Sequence, residues 1–320
     1  MSRVVITGRV PEPAVETLRE VHDVDMHDEE QPITREALLE KVKGADALVT
    51  LLTEKVDAEL LDAAGPQLQV VANVAVGYNN IDVPACAERG VTVTNTPNVL
   101  TEATADIAFG LVLVATRRLG EGERVIRSQT PWTWGMFYML GTGLQGKTLG
   151  VIGMGGIGAA TARRAKAFGM HIAYSSRSAC DPAVAEELDA PRLDFEELLS
   201  TCDVISVHCP YSPATHHLLG AEQFALMKDT AYLINTARGP IVDEAALAQA
   251  LADGVIAGAG LDVFEKEPTV YPDLLTLENV ALVPHLGSAT IETRTAMAQL
   301  AAENAVAILA GEPALTLVRP

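Results

Sequence analysis

Short, continuous apolar runs recur along the chain, with helical patterns between them. VVITG (4–8), ALVTLL (47–52), QVVANVA (69–75) and TVTNT (92–96) make a first series. TLGVIG (148–153), HIAYSS (171–176), VISVHC (204–209), AYLINTA (231–237), AGAGLDV (257–263) and VALVPHL (280–286) make a second. Runs that are apolar throughout, not at every other position, suit strands buried on both faces. Their alternation with helices predicts parallel sheets wound through right-handed βαβ crossovers. Strand, turn and helix follow one another at both VVITG and TLGVIG, so two similar modules are expected. The expected fold class is therefore α/β: two doubly wound, Rossmann/flavodoxin-like parallel-sheet domains, with a cleft between them as the expected place for a ligand.

The stretch TEATADIAFGLVLVATRRLG (101–120) predicts one long, largely buried helix, with Thr101 as N-cap, Glu102 in the first turn, and Arg117, Arg118 and Gly120 at its end. A second long pattern, 290–310, closes before Gly311. If the first helix carries the chain into the second module and the last one returns, the first domain is discontinuous. The expected division is 1–99 plus 287–320 for one domain and 100–286 for the other.

Composition changes this picture little. Of 320 residues, 48% are hydrophobic and 20% charged, a globular balance. The net charge of −19 argues against nucleic acid or an anionic membrane as partner, and an anionic ligand would need a local basic residue. Cys86, Cys180, Cys202 and Cys209 lack CxxC spacing, so reduced thiols in a cytoplasmic protein are expected and a zinc site is not. MSRVVITG runs straight into a strand, without the pattern of a signal peptide. The longest apolar run, IAFGLVLVA (107–115), is too short to cross a bilayer.

The candidate chemistry begins at GMGGIG, where Gly153, Gly155 and Gly158 stand in G-x-G-x-x-G register, with Gly156 and Ile157 between them. A strand precedes the turn, and the helical pattern IGAATARRAKAF follows, with Gly169 as its stop. That context suits a dinucleotide pyrophosphate, because it combines a tight turn, close backbone approach and amides at a helix N-terminus. The alternative is a turn that merely tightens a βα unit. Ser176, 23 positions after Gly153, stands where an NAD-binding fold places an acid for the ribose 2′-OH. Ser176, Arg177 and Ser178 offer hydroxyls and a guanidinium instead, so NADPH is preferred and NADH remains possible. A solvated polar loop is the competing explanation.

INTARG (234–239), DVFEKEP (262–268) and VPHLGS (283–288) each lie at or just beyond the carboxyl end of a strand, the edge where open α/β sheets bind ligands. Each contributes one side chain of catalytic type: Arg238, Glu267 and His285. Singly, these would read as an ion pair, a solvated acid and a structural histidine. His216 and His217 have no Cys or carboxylate cluster beside them in sequence, so no metal is expected, and His208 receives no chemical role.

Arg238, Glu267 and His285, 29 and then 18 residues apart, match a known pattern: the chain resembles the D-2-hydroxyacid dehydrogenase family and, within it, the glyoxylate/hydroxypyruvate reductases. The resemblance covers nearly all of the chain. It runs through VAVGYNNID (74–82), TVTNTPNVLTEATAD (92–106), LQGKTLGVIGMGGIG (144–158), LINTARGPIVDEAAL (233–247), GLDVFEKEP (260–268) and PHLGSAT (284–290). It implies an NADPH-dependent reduction of a small 2-oxo acid, glyoxylate or hydroxypyruvate, to the D-2-hydroxy acid. His285 would be the proton donor, Glu267 would orient it and favour its charged form, and Arg238 would hold the substrate carboxylate. The resemblance further places Leu52, Val76, Gly77 and Trp134 on the substrate, and Thr104, Thr236, Ala237 and Asp262 on the coenzyme. It assigns the first domain to substrate and 100–286 to the dinucleotide.

WTWGMFYM (132–139) lies in the dimer contact of related reductases, which implies a homodimer with Trp134 reaching the partner's active site. Asn79, Ala75 and Met136 depart from the Asp, Ser and Pro common in relatives, and these departures bear on substrate more than on reaction class. Two alternatives stay open: another D-2-hydroxyacid dehydrogenase, acting on 2-ketogluconate or D-glycerate, and a non-catalytic dinucleotide-sensing module like the corepressors of this fold. A corepressor's disordered tail is not seen before Pro320. Length disfavours a phosphoglycerate dehydrogenase with a regulatory extension, and Glu267 disfavours a formate-type enzyme.

Overall fold

A computed structural model describes residues 1–319. The chain forms two compact units, one of Met1–Leu100 with the segment from Ser288 onward, the other of Thr101–Gly287.

The first unit opens with β1 (Arg3–Ile6), α1 (Glu12–Arg19), β2 (Asp23–Met26), α2 (Arg35–Lys41), β3 (Ala47–Thr50), α3 (Ala58–Ala64), β4 (Val70–Asn73), α4 (Val83–Glu88) and β5 (Thr92–Thr94). Its five strands are all parallel, in the order β2-β1-β3-β4-β5. Successive residues of a strand point to opposite faces, and both faces are apolar. Val4, Ile6, Val49 and Ala72 join one cluster, while Val5, Leu48 and Val71 join the other. This two-sided burial is why the strands read as unbroken apolar runs. β2 is the exception. Its sequence, DVDM, is half polar because it pairs only with β1 at the sheet edge, and no apolar run announces it.

The second unit comprises α5 (Thr101–Thr116), α6 (Leu119–Arg127), β6 (Thr148–Ile152), α7 (Gly156–Ala167), β7 (His171–Ser175), α8 (Pro182–Leu188), α9 (Phe195–Thr201), β8 (Val204–Val207), α10 (Ala221–Leu226), β9 (Tyr232–Asn235), α11 (Glu244–Ala252), β10 (Gly258–Leu261) and β11 (Val280–Leu282). Its six strands are parallel in the order β11-β10-β9-β8-β6-β7. The two-domain, parallel-sheet α/β architecture is thus the one the hydrophobic pattern predicts. In this sheet β7 lies to one side of β6, and β8 to β11 lie to the other. The order therefore reverses between β6 and β8, the position where such sheets take their ligands. The last helix, α12 (Ile291–Leu309), belongs to the first unit, where Ala298, Ala301, Ala302 and Ala305 pack among α1 and the sheet. Alanines on that face let helix and strands approach closely.

One expectation needs correction. The stretch 101–120 is not a single helix: α5 stops at Thr116, and Arg118 adopts φ 53° before α6 begins. The terminal carbonyl of Thr116 accepts from the Thr142 amide at 2.8 Å, which removes it from the helical ladder. The Arg118 guanidinium grips Glu121 through two 2.7 Å bonds, offsetting the strain of a left-handed non-glycine residue. Gly120 lies inside α6 and is not a stop.

Phe224 of α10 is fully buried among Leu198, Leu219 and Leu247. Phe224→Ala should cost about 3–5 kcal/mol, read as a lower urea midpoint with unchanged slope. A loss below about 1 kcal/mol would show that this face of the sheet is not close-packed.

Candidate active site

Parallel strands put all their carboxyl ends on one edge of a sheet, and in the second unit those ends are nearly level. Val207 of β8 registers with Asn235 of β9, Asn235 with Leu261 of β10, and Leu261 with Leu282 of β11. The residues that follow are His208, Thr236, Asp262 and Val283, and the glycine turn follows β6 on the same edge.

The turn has the shape a pyrophosphate needs. Gly153 has φ 95°, and a Cβ there would stand 2.6 Å from the Cys209 amide nitrogen, so only glycine lets β6 and the loop after β8 approach this closely. Around Gly155 there is open space instead, with no atom within 4 Å of a built Cβ. α7 starts at Gly156, and no side chain caps it, so its first amides are available to an anion. Thr236 Oγ1 is buried without a protein hydrogen-bond partner among the described residues, a polar atom left for a ligand. These features fit a dinucleotide coenzyme. Gly158 and Ile157 lie in the first turn of α7. Ser176, Arg177 and Ser178 follow β7 in an exposed loop, where Ser176 Oγ donates to the Ser178 carbonyl at 2.6 Å.

The histidine and glutamate come from two loops of this edge and meet, and the arginine of a third loop lies within range of the glutamate's charge. His285 Nδ1 stands 2.7 Å from Glu267 Oε2. The other carboxylate oxygen, Oε1, accepts from the Phe264 amide at 3.0 Å. Burial alone would raise the Glu267 pKa. The hydrogen bond and charge of His285 outweigh it, with help from the Phe264 amide and the Arg238 charge, and hold the group below the ordinary value of 4.5. Arg238 feels the converse pull: desolvation lowers its pKa, and the charge of Glu267 opposes that. Its guanidinium donates from Nη1 to the Ala237 carbonyl at 2.7 Å. Gly239 explains how the two loops come so close. A Cβ there would fall 1.9 Å from the Phe264 carbonyl carbon, so a glycine is required for the Arg238 loop to lie against the Glu267 loop.

Two residues act as braces, a role the sequence did not reveal for either, although Asp262 was expected on the coenzyme. The first is Asp262, which is fully buried; its two oxygens accept from the amides of Leu286, at 2.5 Å, and Gly287, at 2.8 Å. This pins the turn carrying His285, whose own φ is 51°, a left-handed conformation that needs such bracing. Burial raises the Asp262 pKa, while the two amides and the His285 charge counter it. The second is Asn235, whose side chain donates to the Arg238 carbonyl and accepts from the Ala237 amide, both at 3.0 Å, and so closes the arginine loop. Thr104 of α5 reaches the same region: a Cβ on Gly287 would lie 3.2 Å from Asp262 Oδ2 and 3.3 Å from Thr104 Cγ2.

Other sequence-predicted residues lie elsewhere in the fold. Leu52, Val76 and Gly77 belong to the first unit, just beyond β3 and β4. There Asn95 Nδ2 donates to the Val76 carbonyl at 2.8 Å and Asn73 Nδ2 to the Gly77 carbonyl at 3.0 Å. A carbonyl so held turns the amide of the same trans peptide the other way, so the Gly77 N–H faces away from Asn95. Trp134 is 74% exposed, in a segment where Met136, Phe137 and Leu140 are also exposed. His208 Nε2 lies 2.8 Å from Ser206 Oγ, and burial pulls its pKa down to about 4, so the ring is neutral near pH 7. His216 and His217 stack on one another at 4.0 Å. Among the described residues no group of three or more His, Cys, Asp or Glu is placed to hold a metal, and no helix is long and apolar enough to cross a membrane.

A parallel sheet with a phosphate-shaped turn and a histidine–carboxylate–arginine group on one edge is the equipment of a nicotinamide-dependent dehydrogenase. Residues 109–287 match the model of the D-isomer specific 2-hydroxyacid dehydrogenase NAD-binding domain, and the chain belongs to that family. A glyoxylate reductase of Thermococcus onnurineus is 48% identical over 99% of this chain and 95% of its own. Two crystal structures are also similar. A glyoxylate reductase of Paecilomyes thermophila has a TM-score of 0.89 at 36% identity, covering 99% of this chain and 98% of its own. An NADPH-dependent glyoxylate/hydroxypyruvate reductase of Sinorhizobium meliloti, in complex with NADP and malonate, has a TM-score of 0.85 at 35% identity, covering 99% and 96%. The chain is therefore an NAD(P)-dependent dehydrogenase, and the non-catalytic alternative falls away.

The depressed Glu267 pKa has a consequence for stability. A carboxyl whose pKa is lower folded than unfolded stabilises the fold fully above its unfolded value, and loses that contribution as pH falls through the folded value. The stability gap between wild type and Glu267→Gln should therefore hold between about pH 6 and about pH 5 and narrow on further acidification, below the ordinary value of 4.5, measured by urea denaturation at each pH. A gap that widens would contradict the assignment.

Proposed function

We propose that the protein reduces small 2-oxo acids, glyoxylate and hydroxypyruvate, to D-2-hydroxy acids with NADPH as reductant. The observation that carries this reading is the 2.7 Å contact of His285 Nδ1 with Glu267 beside Arg238, on the sheet edge that also bears the glycine turn. The names of the similar reductases support the substrate. Bound coenzyme supplies the hydride to the carbonyl carbon. With Nδ1 held by Glu267, His285 presents Nε2 as the proton donor to the carbonyl oxygen. Glu267 fixes the orientation of the ring through that contact. Arg238 binds the substrate carboxylate with its guanidinium fork and polarises the carbonyl, supplying a local positive charge on a chain whose net charge is −19.

We assign the first unit to substrate, with the amides at Val76 and Gly77 on the carboxylate and Leu52 on the carbon chain. The second unit takes the coenzyme. Gly153 to Gly158, with Gly155, Gly156 and Ile157, receive the pyrophosphate; Thr104, Thr236, Ala237 and Asp262 serve the nicotinamide end; Ser176, Arg177 and Ser178 serve the 2′-phosphate. The preference for NADPH is supported by a hydroxyl at Ser176, where an acid would repel that phosphate. The exposed apolar side chains of 132–140 support a homodimer, with Trp134 delivered to the partner's substrate pocket. Four free thiols suit the cytoplasm.

Initial rates with glyoxylate, hydroxypyruvate, pyruvate and 2-ketogluconate, each against both reduced coenzymes, test the reading. The first two should give the highest kcat/KM, with NADPH clearly ahead of NADH; best turnover of 2-ketogluconate would move the substrate, and NADH preference would overturn the coenzyme. Arg177→Ala should raise KM for NADPH by about tenfold and that for NADH far less, since only one coenzyme offers the phosphate. His285→Ala should lower kcat by about 10²-fold or more while coenzyme binding stays near wild type. An almost unchanged kcat would remove His285 as proton donor.

A further inference from the structure

Arg192 lies outside every motif of the sequence, yet it is tied to the loop after β7. The segment around it runs alongside that strand: the Tyr174 amide donates to the Pro191 carbonyl at 3.1 Å, and the Leu193 amide returns a bond to the Tyr174 carbonyl at 2.9 Å. Arg192 is thereby registered opposite Tyr174, two residues before Ser176. From there its Nη2 donates to the carbonyl of Ser176 at 2.7 Å and to that of Arg177 at 3.1 Å.

Those two bonds orient two consecutive peptide units. In a planar trans peptide the N–H points opposite to the C=O, and the single cis bond of the described chain is elsewhere, at Glu267–Pro268. With both carbonyls turned toward Arg192, the amides of Arg177 and Ser178 face the other way. Neither amide donates to a protein acceptor among the described residues. Two successive outward amides form the kind of concavity that takes an anion. Arg192 also screens the carbonyl dipoles that would otherwise stand beside an incoming phosphate, and it brings a second guanidinium to the loop of Arg177.

We infer that Arg192 is a positioning residue for the 2′-phosphate of the coenzyme: it holds the peptide units after Ser176 and Arg177 so that the amides of Arg177 and Ser178, with the Arg177 side chain, form the phosphate cradle. This rests on the NADPH reading and deepens it. Specificity then belongs to a loop braced from a separate segment, and an arginine at 177 alone does not deliver it.

Calorimetric titration of the full-length protein with adenosine 2′,5′-bisphosphate and with 5′-AMP separates the two claims. Wild type should bind the bisphosphate clearly more tightly; equal binding would overturn the NADPH reading and the inference with it. Arg192→Ala should weaken the bisphosphate by about five- to tenfold and 5′-AMP by less than about twofold, and Arg192→Lys, which keeps a cationic donor, should recover part of the loss. In turnover, KM for NADPH should rise while kcat with either coenzyme stays within about twofold. If wild type discriminates but Arg192→Ala loses equally on both ligands, or loses nothing, the NADPH reading stands and the positioning role is overturned.

Discussion

The direction of six parallel strands is the constraint on which the site depends. Because all six strands of the second unit run parallel, every carboxyl end falls on one edge, and the level register of β8 to β11 sets the following loops side by side. Residues far apart in sequence, at 153, 238, 267 and 285, then share that edge without any element having to bend. The strand order reverses between β6 and β8, and there Gly153 lets the turn after β6 pack closely against Cys209 of the loop after β8. The sheet supplies the address, and the chemistry is supplied by the loops.

Electrostatics at that address runs against the character of the chain. A chain of net charge −19 repels small anions, yet one guanidinium is partly buried within range of the Glu267 charge. Removing Arg238 from water costs free energy that the neighbouring Glu267 offsets, and Glu267 in turn is kept ionised by His285, the Phe264 amide and Arg238. Each charge of the group thus stabilises another. Asp262 joins this exchange through the His285 charge, and its carboxylate also accepts amides of the His285 turn, which fixes that turn's geometry.

Much of the fold was legible before any coordinate. Among the described residues, ten of the eleven strands appear as apolar runs because both faces of each sheet are covered, so burial leaves no polar alternation to obscure them. β2 escaped because an edge strand with polar positions has no such run. The break after Thr116 escaped for a different reason. Nothing in ATRRLG forbids a helix, and the carbonyl there is captured by Thr142, a residue from well along the chain. Within the site, Arg238, Glu267 and His285 were legible as residue types at strand ends. Asn235 and Asp262 were not legible as braces, since an amide or acid at a strand end carries no mark of which backbone groups it will bind.

By itself, the sequence determined the class of architecture, the position of the glycine-rich turn after β6 and the identity of the polar side chains beyond each strand, because these follow from local periodicity and local residue chemistry. Only tertiary structure decided that the Arg238 loop lies against the Glu267 loop, that His285 meets its carboxylate at 2.7 Å, and that Arg192 braces the loop after β7. Those outcomes depend on packing between segments distant along the chain. A contact of that kind is set by strand register and by the absence of a Cβ at Gly239, neither of which can be evaluated until the sheet has formed.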